Sequence, residues 1–236
     1  MPADPREYDI DEQTAASRAM LERRIPAELN KINLALGDID GRKAYESWRV
    51  ALMVDLVDAI ERNCAQLLET MGKDRLPATA WIARNLLELL VWVKYCVVSR
   101  ENAWRFHEDA LRDAKGLLDA HAKSCAVLGI ENEAATMAEE RLQRAAAELG
   151  LGEIGSDYLD VSKAAKAQGV DLGEMFAPSN RFLSKFAHPT AGLVHGITHQ
   201  TEACRQLQAV FTTQGVHYAA QGTLALEAQL GISQPE

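Results

Sequence analysis

Apolar residues recur along this chain at three- and four-residue spacing almost from end to end, a pattern that predicts helices joined by short polar or glycine-rich links. From Asp11 the apolar positions are Ala15, Ala19, Leu21, Ile25, Leu29, Ile32 and Leu36, with Pro26 set to kink or divide the segment. The GDIDG run from Gly37 to Gly41 is rich in turn-favouring residues and predicts a loop. A long helix is expected over 42–71, with Trp48, Leu52, Leu56, Ile60, Cys64 and Leu67 on one face. Pro77 then opens a helix over 77–98, at a first-turn position where its missing N–H costs nothing. Further helices are expected over 101–122, 131–149 (stopped by Gly150), 157–168 (stopped by Gly169) and 200–230. No stretch alternates with a period of two. The expected fold is all-α, an antiparallel bundle of about six to eight helices. The expected divisions are 1–40 as a tail and arm helix, 41–230 as a single bundle domain and 231–236 as a tail.

The helix over 77–98 is apolar almost all round, which places it at the centre of the bundle. Its polar exceptions are Arg84 and Glu88, four residues apart and so on one side, with Tyr95 on the same stripe. A buried Arg/Glu pair must satisfy itself or face something else polar.

Hydrophobic residues make up 47% of the 236 and charged residues 25%, which is ordinary globular usage. The net charge of −9 disfavours a protein that coats nucleic acid non-specifically, because that affinity comes from cations neutralising phosphates. The N-terminus lacks a basic segment followed by an apolar run, and the most apolar stretch is broken by Arg84, Asn85, Glu88 and Lys94. A cytoplasmic protein without a membrane span is therefore expected. Cys64, Cys96, Cys125 and Cys204 are far apart and form no CxxC, which fits buried, reduced thiols. The residues His107 to Asp113 (HEDALRD) mix carboxylates with arginine, and read as a solvated ladder beside a core histidine rather than as metal ligands. No sequence motif calls for a cofactor: the GLGEIG glycines follow no strand.

The densest polar chemistry lies between Pro178 and His199, which holds three of the six histidines. If Pro178 starts a helix, Arg181, Ser184, Lys185 and His188 fall within about 100° of arc, opposite Phe182, Leu183 and Phe186. Pro189 bars the helical conformation from its predecessor, so His188 is expected at the helix's C-terminal end, where the dipole favours positive charge. Arginine and lysine beside a histidine suit an anionic substrate such as phosphate. His188, His195 and His199 offer an alternative, a metal site of a hydrolase, but no acidic residue stands between the last two as it does in HExxH.

Arg181 to His188, with NRFLSKFAHPT late in the chain and ARNLLELLVWVKYC earlier, resembles the Arg-x(4–6)-His motif of HEPN domains. More narrowly, it is similar to a HEPN-like bacterial family of uncharacterised domains that pairs an Arg/Glu central helix with a Ser-x-x-x-His-Pro segment. The resemblance spans roughly residues 45–230. It implies a metal-independent endoribonuclease, of a defence or toxin system, in which the 2′-hydroxyl attacks the adjacent phosphate. His188 would move protons and Arg181 would stabilise the phosphorane, with Lys185, Ser184, Arg84, Glu88 and Tyr95 binding phosphate or supporting the site. A homodimer is implied too. Phe182 after the arginine and the six-residue gap depart from the usual pattern, and non-catalytic HEPN-like modules that bind a nucleotide, nucleic acid or protein partner also occur.

Overall fold

A computed structural model describes residues 10–42, 45–73, 75–130, 133–151, 154, 158–188 and 202–232. All regular structure among these residues is helical: the protein is an all-α helical bundle. No described helix is long and apolar enough to cross a membrane.

Contacts divide the chain into two compact units, one drawn from Met1–Val98 with Val161–Glu236 and the other from Ser99–Asp160. In the first unit, α1 (Ile10–Ala19) runs through a five-residue π turn (Met20–Arg24) into α2 (Ile25–Arg42). The π turn lies where Pro26 removes an N–H and crowds the preceding turn, so the helix widens rather than breaks. Ile25 N–H accordingly reaches back five residues to Met20 O. Helix α2 also runs straight through Gly37–Gly41, where a loop is expected. Ile32, Leu36 and Ile39 continue the apolar stripe through that run, and their packing overrides its turn propensity. Residues 10–40 are part of this unit rather than a separate arm: Leu21, Ile25, Leu29, Ile32 and Leu36 are buried, and Ser17 Oγ lies 3.4 Å from Thr213 Oγ1.

Helix α3 (Ser47–Thr70) is followed by α4 (Leu76–Val98), the expected central helix, with twelve of its 23 residues buried. The last helix in the first unit, Glu202–Leu230, runs antiparallel to α3. Gln208 Nε2 donates to Thr70 O (2.9 Å) and Lys73 O (2.8 Å), Gly215 abuts Leu67 and Gly222 abuts Ile60. It therefore runs parallel to α4. Gly215 permits the close approach, because a β-carbon there would stand 2.8 Å from Leu67 Cδ2 and 3.5 Å from the Ala83 backbone. Between α4 and this last helix in sequence, the first unit adds a short helix, Val161–Ala165, which stops short of the expected end at 168 and gives way to turns that include Gly169 at φ +84°, and the helix Gly173–Ala187.

The second unit consists of α5 (Arg100–Leu128), α6 (Glu133–Glu148) and the segment leading to Asp160. Ser99 caps α5 by accepting from Asn102 N–H at 3.1 Å, and Gly129 at φ +66° ends it. In chain order the three helices that follow α6 are α7 (Val161–Ala165), α8 (Gly173–Ala187) and α9 (Glu202–Leu230). Asp109, expected on a solvated ladder, is buried: both carboxylate oxygens accept from Leu159 N–H, at 3.0 and 3.1 Å, and tie the unit's last segment to α5.

Candidate functional site

Helix α8 starts at Gly173, five residues before Pro178. Phe176, completely enclosed, supplies a core contact that outweighs the backbone bond Pro178 cannot make. The longer helix fixes which side each polar residue takes. Phe176 and Leu183 lie on its buried line. At about 100° per residue, Asn180 stands within roughly 60° of that line, whereas Arg181 stands about 140–160° away. Ser184, four residues after Asn180, is half-buried and donates to Asn180 O at 2.6 Å. Arg181 and Lys185 form the exposed outer face. Phe186 and the rim residue Phe182 pack on Phe211 of α9, with ring centroids 5.2 and 5.5 Å from it.

His188 ends α8 in the extended conformation expected before Pro189 (φ −116°, ψ 150°). Its imidazole meets Arg84 rather than Arg181, with Arg84 Nη1 3.2 Å from His188 Nε2. Arg84 also donates through Nε to Asn180 Oδ1 at 2.8 Å, and through Nη2 to Glu88 Oε1 at 2.9 Å. Three nitrogens of one guanidinium thus bind the side chains of Glu88, Asn180 and His188. Arg84 and Glu88 are about a quarter exposed (27% and 28%), so the pair is open to solvent and contributes about 1 kcal/mol or less.

The protonation pattern follows from the partners. A guanidinium has only donors, so in this contact His188 Nε2 is the acceptor, and Nδ1 is the ring nitrogen left to donate. Arg84 keeps two N–H groups beyond the three it uses, with no further partner among the described residues. The guanidinium–imidazole pair therefore carries spare donors from both members while its charge is balanced by Glu88. Next to Asn180, Ser179 hydrogen-bonds the buried Tyr218 hydroxyl and links α8 to α9; burial raises the Tyr218 pKa, and the Ser179 bond only partly offsets it.

Arg84, Glu88 and His188 are thus brought together, and Ser184 reaches them only through the Asn180 backbone. Arg181, expected beside His188 on one face, is on the outside of α8 and no described residue pairs with it. Lys185 shares that outer face. Tyr95 is buried against Trp92, and its α4 position lies about 16 Å along the axis from Arg84, outside the cluster. His195 and His199 lie outside the described residues, and among those described no three His, Cys, Asp or Glu side chains could hold a metal ion. Asn180 is the member that the sequence pattern does not single out. Its only signal is positional: four residues before Ser184 and four after the apolar Phe176.

The fold and site together define an all-α bundle with a partly exposed Arg–Glu–Asn–His cluster between its central helix and α8. No family model, curated protein or solved structure matches the chain.

Proposed function

We propose that this chain is a non-catalytic, HEPN-like binding module whose Arg84–His188 cluster takes up an acceptor-rich anion, a phosphate group above all. The 3.2 Å contact from Arg84 Nη1 to His188 Nε2 carries the reading. It occupies the one imidazole lone pair that a general base would need, and leaves N–H donors on both partners. Donors from a guanidinium and an imidazole suit phosphate oxygens. Arg181 and Lys185, on the outer face of α8, add positive charge to the approach, whereas Glu88 holds affinity down by neutralising Arg84.

A metal-independent endoribonuclease is the second reading, favoured by the adjacency of arginine and histidine. A phosphate that drew the Arg84 N–H away from the imidazole would free Nε2 to accept the 2′-hydroxyl proton, and Arg84 would take the part that the motif gives to Arg181. The resemblance carries a homodimer with either reading.

One experiment separates the two. Purified protein is titrated into short labelled RNA and into inorganic phosphate in EDTA, alongside Arg84→Ala, His188→Ala and Glu88→Gln. Scattering mass reports oligomeric state and gel analysis reports cleavage. The binding reading expects intact RNA, affinity lost in Arg84→Ala and raised in Glu88→Gln. Cleavage that depends on His188 transfers the conclusion to the nuclease. Absence of both binding and cleavage overturns both readings.

A further inference from the structure

Ten large apolar side chains stand exposed among the described residues, and six of them lie in the smaller unit, Ser99–Asp160. Scattered exposed apolar residues are ordinary on a protein surface, whereas a contiguous patch marks a place where something binds. Part of this set lines a groove of about 680 Å³ between α5 and α6. Its walls are Ala114, Leu117 and Leu118 of α5 with Ala138 and Leu142 of α6, and Leu117 is 72% exposed. Positions 114, 117, 118 and 121 follow the three- and four-residue spacing of one helical face. The strip therefore runs along α5 for about 10 Å, the extended length of about eight methylene groups.

Only two of the lining residues are polar, His121 and Arg141, and none is a carboxylate. His121 is already engaged on its own helix, with Nε2 3.6 Å from Cys125 Sγ. Arg141 is exposed, and no described residue pairs with it. The sequence supplies the reason: the positions three and four residues away on α6 hold Met137, Ala138, Arg144 and Ala145, so no acid is placed to reach it along the helix. A second groove shares Leu118 and Leu142 but is bordered by Lys115, Asp119 and Glu139, so its charge is mixed.

We infer that the groove between α5 and α6 is a further binding site and takes a medium-chain fatty acid. The carboxylate pairs with Arg141, and a chain of about eight to ten carbons lies against Leu117, Leu118 and Leu142. The volume falls within the range of small-molecule sites, about 300–1,000 Å³, and apolar walls with few polar groups are what such sites present. The lining also sets the sign of the ligand: a cationic amphiphile would meet Arg141 with like charge, and a neutral one would leave it unpaired. The site uses no residue of the Arg84 cluster and is independent of the anion-binding reading. Helix α5 encloses only three of its 29 residues, so a ligand here adds apolar contact where the fold has least, and the occupied unit should open less often.

The test titrates decanoate, octanoate, decanol and decylamine, each below its micellar concentration, into the full chain and into Leu117→Gln, Arg141→Ala and Ala138→Phe. Calorimetry reads affinity, and hydrogen-exchange mass spectrometry reads location. Leu117 and Arg141 are exposed, so their substitutions leave the fold intact, while Ala138→Phe fills the groove. A fully buried methylene is worth about fourfold in affinity; in a groove that covers one side of the chain, about twofold is expected, so decanoate should bind about fourfold tighter than octanoate. Decanoate should also exceed decanol by about two- to fivefold, the contribution of one exposed ion pair, with decylamine weakest. Bound decanoate should slow exchange in α5 and α6 and leave α4 unchanged. Arg141→Ala should erase the preference over decanol, Leu117→Gln should weaken every chain, and Ala138→Phe should abolish binding. Binding by none of the four, equal binding of decylamine and decanoate, or protection confined to other helices overturns the inference. So does a ligand-free scattering mass of two chains that Leu117→Gln returns to one, because a second copy would then cover the groove.

Discussion

Because a guanidinium has no lone pair to offer, the contact between Arg84 and His188 assigns the imidazole its role as acceptor, and with it the position of its proton. Neighbouring residues then divide the remaining work: Glu88 balances charge and Asn180 orients the guanidinium plane. Elsewhere, burial alone sets side-chain chemistry. The thiols of Cys64 and Cys96 are each pushed up to about 12, chiefly by removal from water. A folded-state pKa raised above the ordinary value of 9.0 stabilises the fold fully below that value. This contribution is lost as pH rises from 9 through about 12, because only the unfolded chain can ionise readily there. Denaturant midpoints measured across that range should fall, with each thiol accounting for about 1.4 kcal/mol per pH unit. Replacing Cys64 by Val or Cys96 by Ala should flatten the alkaline decline, whatever its cost at neutral pH.

At the scale of elements, α4 and α9 approach as closely as they do because Gly215 carries no side chain. Gly215→Val should cost about 1–3 kcal/mol by overpacking against Leu67 and the Ala83 backbone, and thermal unfolding reads that loss directly. Gly37 is the control: it lies within helical α2, and a β-carbon added there would meet nothing within 4 Å. Gly37→Ala should therefore stabilise by about 0.5–1 kcal/mol. Opposite signs at two helical glycines distinguish packing from propensity. The helices that bury the most are the most legible from sequence. α4 and α9 each start within two residues of their expected positions, because apolar periodicity reports burial directly. Legibility fails where local propensity and tertiary packing disagree, at the helical Gly37–Gly41 and at the start of α8 before Pro178. The second disagreement bears on the site. For a helix that begins at Pro178, no inward line through Phe176 exists to show that Arg181 faces out and Asn180 faces in. That Arg84 and Glu88 form a pair is legible from their spacing; that Arg84 also reaches His188 is a contact across 104 positions, which one sequence does not encode visibly.

At the scale of the molecule, the two compact units bury very different amounts. α4 buries twelve of 23 residues, whereas α5 buries only Ala103, Asp109 and Cys125 of 29. Few enclosed side chains mean a low free energy of local opening. Hydrogen-exchange mass spectrometry should therefore show α5 and α6 exchanging well ahead of α4 and the middle of α9. Equal protection in both units would contradict this. The candidate site draws on α4 and α8, both in the better-packed unit, where a binding geometry can be held rigidly. The central claim is that His188 works with Arg84 and not with Arg181. Long-range proton–nitrogen spectra of ¹⁵N-histidine-labelled protein test it most directly. The predicted result is a neutral His188 ring protonated at Nδ1 that is perturbed by Arg84→Ala and unchanged by Arg181→Ala; an Nε2-protonated ring, or one that responds to Arg181→Ala alone, would contradict it.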